Sequence, residues 1–288
     1  MQKRKVNHKK VAWVVVQYRC IIALATLCNA LFIFGIALFF FAAVELALLC
    51  SLIVAVAILG AVWVWTPTFD LSALPLGVKP ITTPRYHWVV KLWRARCVAY
   101  GVTPGPVFMV KHREDDRMLW GFGMDNISLL RMHPVFTVSE LALPLLRPEV
   151  VGPIIEHELG HCRLLTPLLR YFFRTVSIPG TYVLYLLSAI HRWFAQQSRF
   201  PAVVALILHV EHLFFWSSCY AIAQYDEYAA DAMMAEAVSD EEQVVSALTR
   251  LHKRLADLGG RRPSPENAHL VNHPALEQRI KAIRALFE

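Results

Sequence analysis

The stretch Ile154-Ile155-Glu156-His157-Glu158-Leu159-Gly160-His161 places two histidines four residues apart, with a glutamate directly after the first. On an α-helix, positions i and i+4 lie about 40° apart around the axis and one turn apart along it. His157 and His161 therefore present both imidazoles to one side, where they can share a zinc ion. Glu158 projects about 60–100° off that line, where it can reach a water activated by the metal without displacing a ligand. A chain with 12 histidines yields this H-E-x-x-H pattern by chance only about 0.02 times. A catalytic zinc takes three protein ligands and keeps a fourth position open. The best candidate for the third is Glu227, in Asp226-Glu227-Tyr228-Ala229-Ala230-Asp231. Glu227 and Asp231 are again i and i+4, so Glu227 could ligate while Asp231 accepts a proton from a ligand imidazole and orients it. An acidic pair on a helix surface is more often simply solvated, so the residues alone leave the third ligand open.

These groups need elements to hold them. Apolar residues around the histidines predict a helix over about Pro148–Leu165, and Pro153 predicts that this helix begins or kinks at 153. Arg85–Tyr100 reads as a helix ended by Gly101. Val107–Val110, Met118–Met124 and Val135–Val138 are short β-branched or aromatic runs that read as a small sheet. Residues 70–84 are proline-rich and read as a connector. Ser239 and Glu242 form a capping box for a helix running to Gly259-Gly260. Pro274 opens a last helix with Leu276, Ile280, Ile283 and Phe287 on one face.

The composition says where this domain sits. The 288 residues are 56% hydrophobic and only 18% charged, against roughly 45–50% and 25% in soluble domains. The excess is concentrated. Ile21–Val44 and Leu46–Phe69 are each 24 residues without a charge, interrupted only by Glu45. Such a run is about 36 Å long as a helix, enough for a hydrocarbon core of roughly 30 Å. A transmembrane hairpin is expected, and 175–190 and 200–223 are two further apolar segments. The net charge of +7 includes Lys3, Arg4, Lys5, Lys9, Lys10 and Arg19 ahead of the first run. A basic collar there suits anionic head groups and a cytoplasmic N-terminus; no basic stripe interleaved with aromatics suggests nucleic acid. Six cysteines without a CxxC pair form neither a disulfide framework nor a zinc knuckle. Cys162 reads as packing. His209, Glu211 and His212 read as interior polar residues of a helix bundle, since on one helix the two histidines would lie about 27 and 22 Å before Glu227.

Taken together, the chain resembles the HtpX-type membrane zinc metalloproteases, whose relatives include the CAAX prenyl proteases. The resemblance rests on the basic N-terminus, the two-span hairpin, His157-Glu158-Leu159-Gly160-His161, two further apolar segments, Glu227-x-x-Ala230-Asp231, and His273-Pro274-x-x-x-x-Arg279-Ile280. It implies an α+β zincin-like (gluzincin) fold, mostly α, in a multi-pass membrane protein. It also implies Glu227 as third zinc ligand, Asp231 behind a ligand, and His273 and Arg279 near the reacting carbonyl or oxyanion.

The expected division is a basic cytoplasmic arm (1–19), the hairpin (20–69), a first part of the protease domain (70–170), two apolar helices (171–223) and a second part (224–288). The expected function is a zinc endopeptidase in the inner (plasma) membrane, with one zinc per chain and its catalytic domain in the cytoplasm. Zinc is held by His157, His161 and Glu227, Glu158 is the general base, and the substrates are proteins or peptides. The rivals are an intramembrane protease, a zinc-binding membrane sensor and a non-catalytic membrane scaffold. Glu156, Arg163, Arg170 and Arg174 around the motif, and the absence of an L-D-G motif, argue against the first. Tiny outer loops argue against the second.

Overall fold

A computed structural model describes residues 5–41, 78–82, 84–110, 122–126, 134–139, 147–164, 200–257 and 274–288. The chain divides into two compact units, one of residues 1–18, 66–167 and 223–288, the other of 19–65 and 168–222. The described elements are α1 (His8–Phe41), β1 (Val78–Pro80), a 3-10 turn (Pro84–Tyr86), α2 (His87–Ala99), β2 (Val107–Val110), β3 (Phe122–Asn126) and β4 (Pro134–Ser139). They continue with α3 (Pro148–Arg163), α4 (Phe200–Val238), α5 (Glu241–Asp257) and α6 (Leu276–Leu286). The expected second span, the 175–190 segment, the 191–199 loop and the 258–273 loop lie outside the described residues.

In the first unit a four-stranded sheet has the order β1-β2-β4-β3. The pairs β1–β2 and β3–β4 are antiparallel, while β2 and β4 run parallel with Val107 opposite Phe136. β1 falls in the stretch read as a connector. Its three residues include Pro80, too short and too proline-marked to stand out, and it sits at a sheet edge, where proline is tolerated. The third strand lies at Phe122–Asn126, shifted from the apolar run around Met118.

Helix α2 buries Val89, Trp93 and Cys97, four residues apart, on one face. Trp93 stacks on Phe136 of β4 at 4.9 Å, and its Nε1 donates to the Gly105 carbonyl at 3.2 Å. The helix stops at Gly101, whose φ of +65° glycine tolerates best. Gly101 N donates to Val98 O and Val102 N to Cys97 O, the paired bonds of a Schellman ending. Helix α3 starts at Pro148 and not at Pro153. Proline at the first helical position has its backbone angle preset and loses no bond there. Pro153, one turn further on, removes one intrahelical bond, yet the helix continues because residues 150–157 are all buried. Val150, Val151, Ile154, Ile155 and Leu159 join the core that Trp93 and Phe136 begin.

Helix α4 is unbroken over 39 residues and carries the 200–223 segment and Glu227 in one piece. It ends at Ser239, whose φ is 53° and whose Oγ donates to Glu236 O. The cap of α5 is Asp240, whose Oδ1 accepts from Gln243 N at 3.1 Å. The expected Ser239–Glu242 box is thus displaced by one residue, because Ser239 already terminates the preceding helix. Within the basic N-terminal stretch, α1 begins at His8. Val6 and Val11 pack with Ala232, Ala235, Ile283 and Leu286 in a second core. Asn7 N donates to Leu286 O at 2.7 Å, and Lys10 Nζ donates to Ala285 O at 2.8 Å, closing the C-terminal carbonyls of α6.

Gly105 is where β2 begins against β4. Its N donates to Pro134 O at 3.0 Å, and a Cβ there would collide with that carbonyl. Gly105→Ala is expected to destabilise the fold by about 1–3 kcal/mol through overpacking. Gly152→Ala, on α3 with nothing within 4 Å of a new Cβ, should be neutral or stabilising by up to about 1 kcal/mol. Thermal unfolding of the two detergent-solubilised variants checks the pair.

Candidate metal centre

Helices α3 and α4 supply the centre. Gly160 lies on α3 where a Cβ would stand 3.1 Å from Ala230 Cα and 3.2 Å from Met233 Cβ of α4. The small residues Gly160, Ala229 and Ala230, all buried, let the two helices approach closely. The helices run antiparallel here: His157 faces Asp231, and His161, one turn on, faces Asp226, which lies earlier on α4.

The three expected ligands come together. Ligand atoms of His157, His161 and Glu227 lie within 4.8 Å of one another. The two Nε2 atoms are 3.2 Å apart, and each faces one oxygen of Glu227, at 3.3 Å from His157 and 3.6 Å from His161. Ligands at about 2.0–2.2 Å from a tetrahedral zinc are roughly 3.3–3.6 Å from each other, so the set fits a zinc ion. The Nδ1 atoms point the other way, toward carboxylates: His157 Nδ1 is 2.9 Å from Asp231 Oδ1, and His161 Nδ1 is 3.1 Å from Asp226 Oδ2. The second approach is close but not aligned as a hydrogen bond. A proton on Nδ1 leaves the Nε2 lone pair for a metal.

Charge supports the same fit. Among the described residues, Asp226, Glu227 and Asp231 are buried together with one guanidinium, that of Arg279. With the imidazoles neutral, as zinc ligation requires, these three carboxylates and one guanidinium leave two negative charges, which a divalent cation balances once it has displaced the His157 proton. Burial alone would push the His157 imidazole down, but Asp231 and Glu227 outweigh it and hold it up at about 10. Burial likewise opposes ionisation of Asp231, yet Arg279 keeps its carboxyl below the ordinary value of 3.8.

Arg279, on α6, donates from Nε to Asp231 Oδ2 at 2.8 Å and from Nη2 to Asp231 Oδ1 at 2.6 Å. Its Nη1 lies 3.2 Å from Glu227 Oε2. The structure therefore directs its guanidinium to the carboxylates behind and within the ligand set. Glu158, on the turn between the two histidines, is half-buried. His273 lies outside the described residues, directly before Pro274. Cys162 is buried in the core, and burial pushes its thiol up to about 11. His209, Glu211 and His212 lie on α4, 18 and 15 residues before Glu227 for the two histidines.

Sequence reasoning missed three contributors. Asp226 carries no role in the sequence pattern, yet the divergence of about 100° between adjacent helix residues lets it reach the outer nitrogen of the His161 ring whose inner nitrogen faces Glu227. Gly160 reads as a mere x of H-E-x-x-H until its neighbour helix is known. Glu156, beside His157 in sequence, faces away from the metal centre. It is buried, accepts from Tyr100 OH at 2.6 Å and pairs with Arg96 Nε at 3.0 Å, tying α3 to α2. Burial and this bond push the Tyr100 phenol up to about 12.

The profile of Peptidase family M48 matches residues 131–287, more than half of the chain and all of the stretch carrying these groups. The fold is similar to the crystal structure of S. mikatae Ste24p, with a TM-score of 0.52 and 15% sequence identity, over 98% of this chain and 68% of that one. No curated protein matches the sequence.

Gly160→Ala is expected to push α3 and α4 apart by a few tenths of an ångström. Zinc affinity measured by chelator competition should fall by more than tenfold, since ligand placement is sensitive at that scale. The Asp231–Arg279 pair carries a pH signature. Because the folded pKa of Asp231 is depressed, its contribution is present above about pH 4 and is lost as pH falls through the lower folded value. Asp231→Asn leaves Arg279 buried with fewer charge partners, which costs about 3–5 kcal/mol at neutral pH. Urea unfolding at pH 7 and pH 3 should show the gap between wild type and variant narrowing in acid.

Proposed function

The chain belongs to peptidase family M48, and from that premise we propose that it is an HtpX-like zinc endopeptidase, anchored in the membrane and facing the cytoplasm. A metallopeptidase of zincin-like, mostly helical fold is what the family membership establishes. The observation that carries the finer reading is the convergence of His157, His161 and Glu227 on one point, with Asp231 behind His157.

Those three residues would hold the zinc. When bound, it supplies Lewis acidity, making water more acidic and the scissile carbonyl more electrophilic. The protein's own groups do the rest. Glu158 lies beside the ligands on a half-buried turn that solvent reaches. It takes a proton from the attacking water and passes it to the leaving amine. Asp231 accepts from His157 Nδ1 and keeps Nε2 inward, and Arg279 holds Asp231 in place by two bonds. Arg279 is thus a positioning residue, while His273 is left as the candidate donor to the oxyanion. Among the described strands, β3 is the last in the sheet order, and it packs beside α3. An extended peptide adding to that edge would be held by backbone bonds that tolerate varied sequence, as suits membrane or misfolded protein substrates.

Membrane anchoring draws on α1. His8–Cys28 is long and apolar enough to cross a bilayer, and Trp13, Leu24, Leu27 and Leu31 expose more than half of their surface. Such a face finds no favourable contact in water and does in lipid. The proposed arrangement keeps the multi-pass plan: hairpin over 20–69, apolar helices over 171–223, and protease parts over 70–170 and 224–288. The basic residues at the N-terminus support a cytoplasmic position for that end, against anionic head groups.

Glu158→Gln tests the mechanism. The variant is expected to keep one zinc per chain by elemental analysis and to lose proteolysis of an unfolded protein substrate by at least about 100-fold, as for loss of a general base. Near wild-type cleavage by this variant would sink the assignment of Glu158.

A further inference from the structure

The two ligand histidines are built alike. Glu227 presents one oxygen to each Nε2, and an aspartate stands at each Nδ1: Asp231 at His157 and Asp226 at His161. Asp226 and Glu227 are consecutive on α4, and the angle between consecutive helix residues lets them reach the two opposite nitrogens of the same ring. Asp226 is fully buried. A carboxylate removed from water costs several kcal/mol unless its surroundings compensate. His161 Nδ1 is itself shielded from solvent and has no aligned hydrogen-bond partner, while Asp226 Oδ2 stands 3.1 Å from it. A small turn of the ring aligns the two, satisfying a polar atom that is otherwise costly to bury.

The structure assigns Asp226 as a second positioning residue: its carboxylate accepts the Nδ1–H of His161 and so turns His161 Nε2 toward the metal. The assignment rests on the zinc reading above. It makes His161 dependent on Asp226 as His157 depends on Asp231. Behind the first support, Asp231 is gripped by Arg279.

The test measures zinc affinity by chelator competition for the full chain in detergent micelles, with cobalt(II) spectra as a report on ligand geometry. Asp226→Ala should weaken zinc by about 10–100-fold. Asp226→Asn, whose amide oxygen can still accept from Nδ1, should recover most of that loss. In a His161→Ala background, Asp226→Ala should cause no further loss, because the residue through which it acts is gone. An equal loss with and without His161 would overturn the proposal, as would zinc affinity within twofold of wild type in Asp226→Ala. If Asp226→Ala does not fold, Asp226→Leu, of similar volume but with no acceptor, carries the test: zinc weakened by about 10–100-fold is expected, and affinity within twofold of wild type overturns it. Wild-type protein that binds zinc no more tightly than a His157→Ala variant would overturn the metal-site reading itself, a result distinct from the failure of Asp226 alone.

Discussion

The close antiparallel approach of α3 and α4 is the constraint on which the other features depend. Where Gly160 meets Ala230, no side chain larger than a methyl group separates the helices. That contact brings two imidazoles on one helix against three carboxylates on the other, all nearly out of reach of water. Buried charge of this density is unfavourable without compensation. The chain supplies part of it with Arg279, and the remaining negative charge defines a place for a divalent cation. The same packing therefore sets both the energetic difficulty of the site and the chemistry that resolves it.

The surrounding core keeps that contact in register. Helix α3 is held from behind by Trp93, Phe136 and the apolar residues that precede the histidines. It is also tied sideways to α2 through Glu156, Arg96 and Tyr100. Glu156 and Glu158 flank His157 in sequence and lie on opposite errands. One is fully buried and spent on structure, while the other is half-exposed beside the ligands. Helical geometry separates them by about 200°, so one can be buried in the scaffold while the other stays beside the ligands.

Much of this was legible in the sequence, for identifiable reasons. The i, i+4 histidines depend on a local periodicity, which survives without knowledge of tertiary contacts; the same spacing marks Glu227 and Asp231 as a pair, but only the family resemblance singles out Glu227 as a ligand. The helix around the motif and the glycine stop at Gly101 were legible for the same reason. What escaped depended on a second element. Strand β1 is three residues long and exists because β2 is beside it. Gly160 matters only through Ala230, and Asp226 only through His161. The start of α3 at Pro148 follows the predicted helix, but the break expected at Pro153 is not there, because burial of the whole first half of the helix outweighs one missing bond. Ser239 fitted a capping pattern but had already been used to end α4.

One consequence concerns the N-terminal residues, which the sequence presents only as a basic collar. Arg279 can grip Asp231 with both nitrogens only if α6 keeps its axial position to within a few tenths of an ångström, since bidentate pairing is geometrically strict. The far end of α6, two turns beyond Arg279, is fixed by Asn7 and Lys10 on the carbonyls of Leu286 and Ala285. Val6 and Val11 pack against the same helix end and against Ala232 and Ala235 of α4. The first turns of α1 thus hold α6 against α4, and α6 in turn holds the carboxylate that orients His157. A residue can belong to the support of a metal centre while lying more than a hundred positions from every ligand, provided that each link in the chain between them is buried or hydrogen-bonded.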